Sequence, residues 1–304
     1  AWDALWEDLG ERHYWETGTL CIASREGEAA AGEWMHKSAV TLERCGHKPE
    51  MLDQSRLSLR FPLIDPSDVE GGLYLPSGGV LFADKILDGL KEYLDDHDVA
   101  LRPKTKVVEV DVDRARLVLE GGETVEADAV IVAAGAWINR LMPALRPRLT
   151  PSRQVLAYMH PPEELDDLWA KSPIILDIDP MAGFYAVPPR GGTQLKLGDH
   201  RYSLEGDPDA PRKASEAEIE QLAARCGRRL TGWAGYRLER LEVCFYIVEP
   251  QQRFIVERAG KAGWVLSACS GHGFKFGPVI GQRLAEAMIL DKPEQLTAWA
   301  AGKI

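Results

Sequence analysis

The chain has 304 residues, 45% of them hydrophobic and 27% charged, which is typical of a globular protein with one large or two smaller domains. Its net charge of −11 argues against a nucleic-acid partner, because a duplex binder needs clustered cations. No run of residues approaches the roughly 20 apolar residues of a membrane span. No signal pattern opens the chain, so we expect a cytoplasmic protein without a membrane partner. The five cysteines and seven histidines form no Cys-x-x-Cys or His-x-x-x-His pair, so no disulfide framework or metal site is predicted.

Helical and strand patterns alternate in the first half of the chain. Apolar periodicity predicts helices near residues 2–9, 33–45, 55–61 and 86–94. Runs of β-prone residues predict strands at 17–23, 106–110, 116–120 and 129–133. The pair Gly121-Gly122 suits a hairpin between the last two of these strands. Because residues 130–133 are continuously apolar, we expect that strand to be buried on both faces.

The pattern changes at about Pro151, where short strands become more frequent. Strands are predicted at 154–159, 184–187, 194–197, 241–248, 254–257 and 264–268. Helices are predicted within 203–229 and at 277–289. Residues 188–192, Pro-Pro-Arg-Gly-Gly, should turn the chain between the second and third of these strands.

This order of elements predicts an α/β plus α+β fold with two interleaved domains. We expect a Rossmann-like α/β domain from residues 71–150 and 249–304. The other domain, an antiparallel sheet with helices that holds the substrate, should come from residues 1–70 and 151–248.

One segment, Ser270-Gly271-His272-Gly273-Phe274-Lys275-Phe276, lies between a predicted strand and a predicted helix. Glycines there let the backbone approach a ligand, and the first turn of a helix favours an anion. Lys275 adds a cation at the same place. By spacing alone the segment could equally be a tight strand–helix turn with an exposed lysine.

Several blocks of the sequence, in order, resemble those of the sarcosine oxidase and N-methyltryptophan oxidase family, and the resemblance extends over essentially the whole chain. The blocks are Pro76–Phe82, Ala127-Asp128 leading to Gly135-Ala136-Trp137, Arg153-Gln154-Val155, Leu195–His200, Cys244-Phe245-Tyr246 and Ser270–Phe276. The resemblance implies a D-amino-acid-oxidase-like fold and FAD as cofactor. That family begins with a βαβ unit whose Gly-rich turn binds the FAD pyrophosphate. Since this chain has no Gly-x-Gly-x-x-Gly, we expect that segment to be missing from it.

The resemblance assigns roles to three residues that the pattern alone leaves open. Cys244 would form a thioether to the flavin 8-methyl group, although strand alternation could simply bury its thiol. Lys196 would hold a water at flavin N5 and promote the reaction with O₂, although alternation with Leu195 and Leu197 would place it on a wet face. His200 would point into the amine site, or else end a hairpin.

The remaining site residues follow from the same resemblance. Tyr185 and Tyr246 would line the substrate pocket, unless they are only core aromatics, and Lys275 would bind the substrate carboxylate. Expected cofactor contacts, besides Cys244, are Val107, Ala134, Gly135, Trp137, Gly271, His272, Gly273, Phe274 and Lys275.

The implied reaction is the oxidation of a small secondary amine, such as an N-alkyl amino acid, to an imine that hydrolyses to aldehyde and amine. Flavin takes the electrons and O₂ accepts them to give hydrogen peroxide. The partners are therefore a small amine and O₂, and the pattern does not determine the oligomeric state. Two alternatives remain: a dehydrogenase of the same fold that passes electrons to a carrier, and a flavin-less binding remnant.

Overall fold

The computed structural model describes residues 1–24, 29–179, 183–267 and 269–304. The helices in these residues are α1 (Trp2–Leu9), α2 (Ala29–Arg44), α3 (Gln54–Arg60), α4 (Ala83–Asp96), α5 (Ile138–Leu141), α6 (Asp166–Lys171), α7 (Glu216–Arg229), α8 (Gly277–Leu290) and α9 (Pro293–Ala300). The strands are β1 (Tyr14–Glu16), β2 (Thr19–Ser24), β3 (Glu50–Leu52), β4 (Val69–Leu75), β5 (Gly79–Leu81), β6 (Val107–Asp111), β7 (Arg116–Leu119), β8 (Thr124–Glu126), β9 (Val130–Val132), β10 (Thr150–His160), β11 (Ile174–Asp177), β12 (Phe184–Val187), β13 (Leu195–Asp199), β14 (Arg237–Val248), β15 (Ile255–Ala259) and β16 (Gly263–Ser267).

The largest sheet, called the main sheet below, has the strand order β14-β10-β13-β12-β11-β2-β4-β3. Neighbouring strands are antiparallel except β2 and β11, which run parallel. The turn predicted at residues 188–192 is confirmed, since β12 and β13 pair across it. Strand β4 runs across the predicted domain boundary at residue 70, so the main sheet continues to Leu75. The domain limits themselves stay a prediction.

One face of the main sheet packs against helices α3, α6 and α7. Alternate residues of each strand point to this face, among them Leu20, Phe184 and Leu197, which are fully buried. The helices contribute Leu57 and Trp169, also fully buried. Burial of an apolar side chain of this size stabilises the fold by about 1.5–3 kcal/mol. This layer therefore stabilises one face of the main sheet. Part of the opposite face remains free to contribute side chains to a site.

A buried ion pair joins the end of α7 to the main sheet. Arg229, fully buried, contacts Asp177 at the end of β11 at 2.7 Å and also pairs with Asp68 just before β4. Burial raises the pKa of Asp177 to about 7, although a hydrogen bond from the backbone of Asp179 and the charge of Arg228 oppose that rise. The pair thus connects three segments that are distant in sequence.

The described residues form three smaller sheets besides the main sheet. Strands β15, β16 and β9 form one, where β16 and β9 run parallel, and it packs against α8 and α9. Strands β6, β7 and β8 form the second, and β1 pairs with β5 in an antiparallel third.

The predicted hairpin between residues 116–120 and 129–133 is wrong. Gly121-Gly122 instead turns β7 back onto β8, a short strand that the sequence analysis missed, and β9 pairs with β16. The expectation that β9 is buried on both faces is also wrong. Val130 and Val132 are buried but Ile131 is 46% exposed, because only one face of β9 packs on the core.

The described residues contain no helix that is both long enough and apolar enough to cross a lipid bilayer.

Candidate active site

The register of the main sheet brings the predicted catalytic residues to the face opposite α7. Side chains of directly paired residues lie on the same face of a sheet. Lys196 of β13 pairs with Val187 of β12, and Gly198 pairs with Tyr185. The Tyr185 ring lies over Gly198, where a Cβ would be 2.4 Å from the ring. Glycine at position 198 therefore leaves the space for Tyr185 beside Lys196.

Strand β14 presents Cys244 and Tyr246 to the same face. They pair with Gln154 and Ser152 of β10, the strand between β14 and β13. The hydroxyls of Tyr246 and Tyr185 share a hydrogen bond, and burial raises the pKa of both. Both tyrosines therefore stay neutral at physiological pH.

The segment after β16 closes over this face. The amide of Ser270 donates to the carbonyl of Ile247 at 3.0 Å, and Tyr202 donates to the Ser270 carbonyl at 2.5 Å. Gly271 has φ 74° and lies against Tyr246, where a Cβ would be 2.6 Å from the ring. A side chain at position 271 would be strained in backbone and would clash, which explains the glycine.

These elements enclose a cavity of about 740 Å³, called the main cavity. The predicted site residues that line it are Tyr185, Lys196, His200, Tyr246, Gly271, His272 and Lys275. The structure thus brings together residues from four separate parts of the chain. Cys244 does not line the main cavity, but its half-buried thiol hydrogen-bonds with Tyr246 and lies near Lys196.

Partial burial changes the protonation of the basic groups in the main cavity. His200 keeps much of its surface in solvent, yet the cavity walls remove enough water to lower its pKa. The pKa of Lys275 is lowered by the same cause, an effect that nearby Cys21 opposes. Burial raises the pKa of Cys21 to about 11, although Lys275 lowers it. The cavity therefore favours a neutral imidazole at His200.

Several residues that the sequence analysis did not assign also line the main cavity. They are Trp2, Asp3, Trp6, Arg12, Tyr14, Thr19, Gly78, Gly79, Leu81, Ile174, Leu176, Val187, Asp199, Tyr202, Gln252 and Ser270. Trp2 stacks on Trp6 at 4.9 Å and donates from its indole nitrogen to the carbonyl of Lys275 at 2.8 Å. No sequence signal pointed to Trp2, because the contact joins residues 273 positions apart.

The predicted cofactor contacts divide between the main cavity and other places. Gly135 and Gly273 line a smaller cavity of about 220 Å³, called the small cavity, beside Ala133, Ser267, Cys269 and the first turn of α8. Ala134 packs against the core next to it. Phe274 is 41% exposed.

Five of the predicted contacts line neither cavity: Cys244, Ala134, Phe274, Trp137 and Val107. Trp137 donates to Asp209 at 2.7 Å, and Val107 lies half-buried at the start of β6. Their roles stay predictions.

The main and small cavities share the loop 269–273 as a wall, and together they suit an elongated dinucleotide. At the small cavity, the first two residues of α8 offer no free amide, because Gly277 donates to the carbonyl of Phe274 and Pro278 has no N–H. The hydroxyl of Ser267, 6% exposed, has no partner among the described residues. Lys275 and Lys196 place positive charge in the main cavity. These groups fit a phosphate-bearing flavin.

Comparison with known proteins agrees with this arrangement. Residues 1–287 match the model of the family described as FAD dependent oxidoreductase. The monomeric sarcosine oxidase of Bacillus sp. (strain NS-129) is 26% identical over 300 residues, 96% of this chain and 76% of that protein. The N-methyl-L-tryptophan oxidase of Yersinia pestis (strain Pestoides F) is 22% identical over 300 residues, 97% of this chain and 78% of that protein.

Solved structures share the fold at low sequence identity. The L-proline dehydrogenase from P. horikoshii superposes with a TM-score of 0.80 at 14% identity, over 99% of this chain and 79% of that one. The glycine oxidase from Geobacillus kaustophilus gives 0.75 at 17% identity, over 95% and 75%. With the family model matching nearly the whole length of the chain, this protein belongs to the FAD dependent oxidoreductases.

Proposed function

We propose that the protein oxidises the C–N bond of a small secondary amine, such as an N-alkyl amino acid, with O₂ as electron acceptor and hydrogen peroxide as product. The observation that carries this proposal is the convergence of Lys196, His200, Tyr185 and Lys275 on the main cavity. The sarcosine oxidases and the N-methyltryptophan oxidase among its relatives support it by their names. Bound FAD supplies the acceptor for two electrons from the amine and their route to O₂.

Lys275 is the group that would hold the substrate. Its ammonium lines the main cavity, where a carboxylate would gain a charge-assisted hydrogen bond. The stacked Trp2 and Trp6 cover the same part of the cavity and would exclude water from the bound amino acid. The substrate's amine then lies toward Tyr185 and His200.

His200 and the tyrosine pair would manage protons. Because burial lowers its pKa, His200 can remain neutral at neutral pH. A neutral imidazole does not repel an ammonium substrate and can accept a proton from it. Tyr185 and Tyr246 are held by their mutual hydrogen bond and present neutral hydroxyls. We therefore expect the bound substrate amine to be uncharged, which is its reactive form.

Lys196 would act in the second half of the reaction. It is the cation on the site face of β13, next to Tyr185, and carries its charge into the main cavity. A fixed positive charge stabilises the negative charge that develops on O₂ as it accepts electrons. This favours the oxidase over a dehydrogenase that uses a carrier.

The attachment of FAD through Cys244 is a further part of the proposal. The thiol lies beside Tyr246 and Lys196; burial raises its pKa, and the charge of Lys196 opposes that rise. A thioether there would keep the flavin against the same face as the catalytic lysine.

The test is an assay of peroxide formation and oxygen consumption with matched substrates. N-methylglycine and larger N-methyl amino acids should give one peroxide per O₂ consumed, whereas glycine and the amines without a carboxylate should react far more slowly. A dye acceptor that supports turnover while O₂ does not would contradict the oxidase and indicate the dehydrogenase. Failure of every N-alkyl amino acid, with primary amino acids oxidised instead, would contradict the substrate class.

A further inference from the structure

The hydroxyl of Ser267 is a buried polar group that makes no hydrogen bond within the described residues. Ser267 is the last residue of β16 and is 6% exposed, and its Oγ has no hydrogen-bond partner among the described residues. Leaving a hydroxyl buried and unpaired destabilises the folded protein. A buried, unpaired polar group in a folded protein needs an explanation, and one explanation is that it contacts a ligand.

The surroundings of Ser267 indicate what that ligand is. Ser267 lines the small cavity, which is otherwise apolar except for backbone groups of Gly135, Gly273 and Gly277. The first turn of α8 faces the same space without a free amide at its first two residues, since Gly277 donates to the carbonyl of Phe274 and Pro278 has no N–H. A buried, unpaired hydroxyl in an otherwise apolar cavity is a donor for an oxygen of an uncharged sugar-like chain.

The position of the small cavity in the sheet supports the same ligand. It lies at the carboxyl ends of β9 and β16, which run parallel. In open parallel sheets, ligands bind outside the carboxyl ends of the strands. The loop 269–273 separates this space from the main cavity, where the flavin ring would lie.

We propose that Ser267 donates a hydrogen bond to an oxygen of the ribityl chain of FAD. The inference uses the FAD site of the family and is independent of which amine is oxidised. The competing occupant of the small cavity is an ordered water. If water occupies it, the affinity for FAD should not depend on Ser267.

The experiment compares Ser267→Ala with a matched control, Ser172→Ala. Ser172 is 5% exposed but its hydroxyl donates to the carbonyl of Pro173 at 2.9 Å, and it lines neither cavity. Both changes are made in a Cys244→Ala background, so that FAD exchanges freely. Thermal unfolding of the apoprotein and calorimetric titration with FAD are measured for each.

Ser267→Ala should leave the apoprotein's Tm unchanged or higher, because it removes an unpaired buried hydroxyl, and should weaken FAD binding about three- to tenfold. Ser172→Ala should lower the Tm and leave FAD affinity unchanged. A drop in Tm for Ser267→Ala, or an unchanged Kd for FAD, would overturn the proposal.

A second readout covers the protein that retains Cys244. Ser267→Ala should lower the fraction of purified protein that carries flavin, relative to the Ser172→Ala control. Equal flavin content in both would also count against Ser267. No FAD binding by the unsubstituted protein would overturn both this inference and the proposed function, whereas FAD binding without amine oxidation would overturn only the latter.

Discussion

At the scale of single residues, the site depends on a few charged side chains whose surroundings change their chemistry. Lys196 and Lys275 both line the main cavity, but they come from different strands and turns and are proposed to act in different half-reactions. Their separate effects can therefore be distinguished by kinetics.

Lys196→Met should slow the reaction of reduced enzyme with O₂ by about 10²–10³, because a fixed charge is lost where negative charge develops. Reduction by the amine should change much less. Stopped-flow measurement of each half-reaction tests this, with Lys37→Met as the control, since Lys37 is exposed on α2. Equal slowing of both half-reactions would make Lys196 a substrate or structural residue.

Cys244→Ala should release all flavin into the supernatant on acid precipitation, whereas the unsubstituted protein should keep its colour in the pellet. Cys269→Ala is the matched control, since Cys269 is the other free thiol close to Cys244. The visible absorbance of flavin is measured in the pellet and in the supernatant of each protein. Retained colour in Cys244→Ala would show that another residue carries the flavin.

Lys275→Gln should raise the KM for an N-methyl amino acid about 10- to 100-fold, because a charge-assisted hydrogen bond is lost. Burial lowers the pKa of Lys275, so in the unsubstituted protein KM should rise with pH below the ordinary lysine range, as the cation loses its proton. The variant should lack this rise. A carboxylate-free N-methylamine is the control, and its KM should not respond to the change. The same pH profile in both proteins would remove Lys275 from substrate binding.

At the scale of secondary-structure elements, helix α7 shows how local sequence stabilises the layer behind the site. Ser215 and Glu218 form a capping box, and Arg153 of β10 contacts Glu218 at 2.7 Å. The contact with Arg153 is the main cause that lowers the pKa of Glu218 to about 2.

Glu218→Gln should lower the free energy of unfolding by about 1–2 kcal/mol at neutral pH, after discounting for solvent screening. A carboxyl whose pKa is lowered in the folded state stabilises above its unfolded pKa and loses that effect as pH falls toward 2. The difference between variant and parent should therefore shrink below about pH 4.5. Denaturant unfolding at several pH values tests it, with exposed Glu220→Gln as control. A pH-independent difference would mean that the charge is not responsible.

At the scale of the whole molecule, the buried contact between Arg229 and Asp177 ties α7, β11 and the segment before β4 together. Arg229→Met should destabilise the protein by about 3–5 kcal/mol, because Asp177 stays buried without its cation. Asp177 has a raised pKa, and its protonated, uncharged form costs less to bury than its carboxylate. The decrease in the free energy of unfolding should therefore be smaller at pH 5 than at pH 8.

Arg60→Met is the control for Arg229→Met, since the contact between Arg60 and Glu50 is partly exposed and should matter little. Chemical unfolding of both variants gives the comparison. A loss for Arg229→Met no larger than that for Arg60→Met would show that the buried pair does not support the fold.

The family and much of the local structure could be predicted from the sequence, whereas the roles of the site residues stay predictions. Residue periodicity predicted α4, α8 and the pairing of β12 with β13 because these signals lie within 10 to 20 residues. The block from Ser270 to Phe276 indicated the cofactor through its resemblance to the family, because its spacing alone also fits an ordinary strand–helix turn. Family membership followed from the order of such blocks.

Tertiary structure alone decided which residues meet. The partner of β9 is β16, more than 130 residues away, and a nearby glycine pair suggested the wrong hairpin. Two features depend on how distant segments pack. Trp2 donates a hydrogen bond to the carbonyl of Lys275, and the Ser267 hydroxyl has no hydrogen-bond partner among the described residues. These outcomes depend on the burial of surfaces from distant segments, which local propensity does not encode.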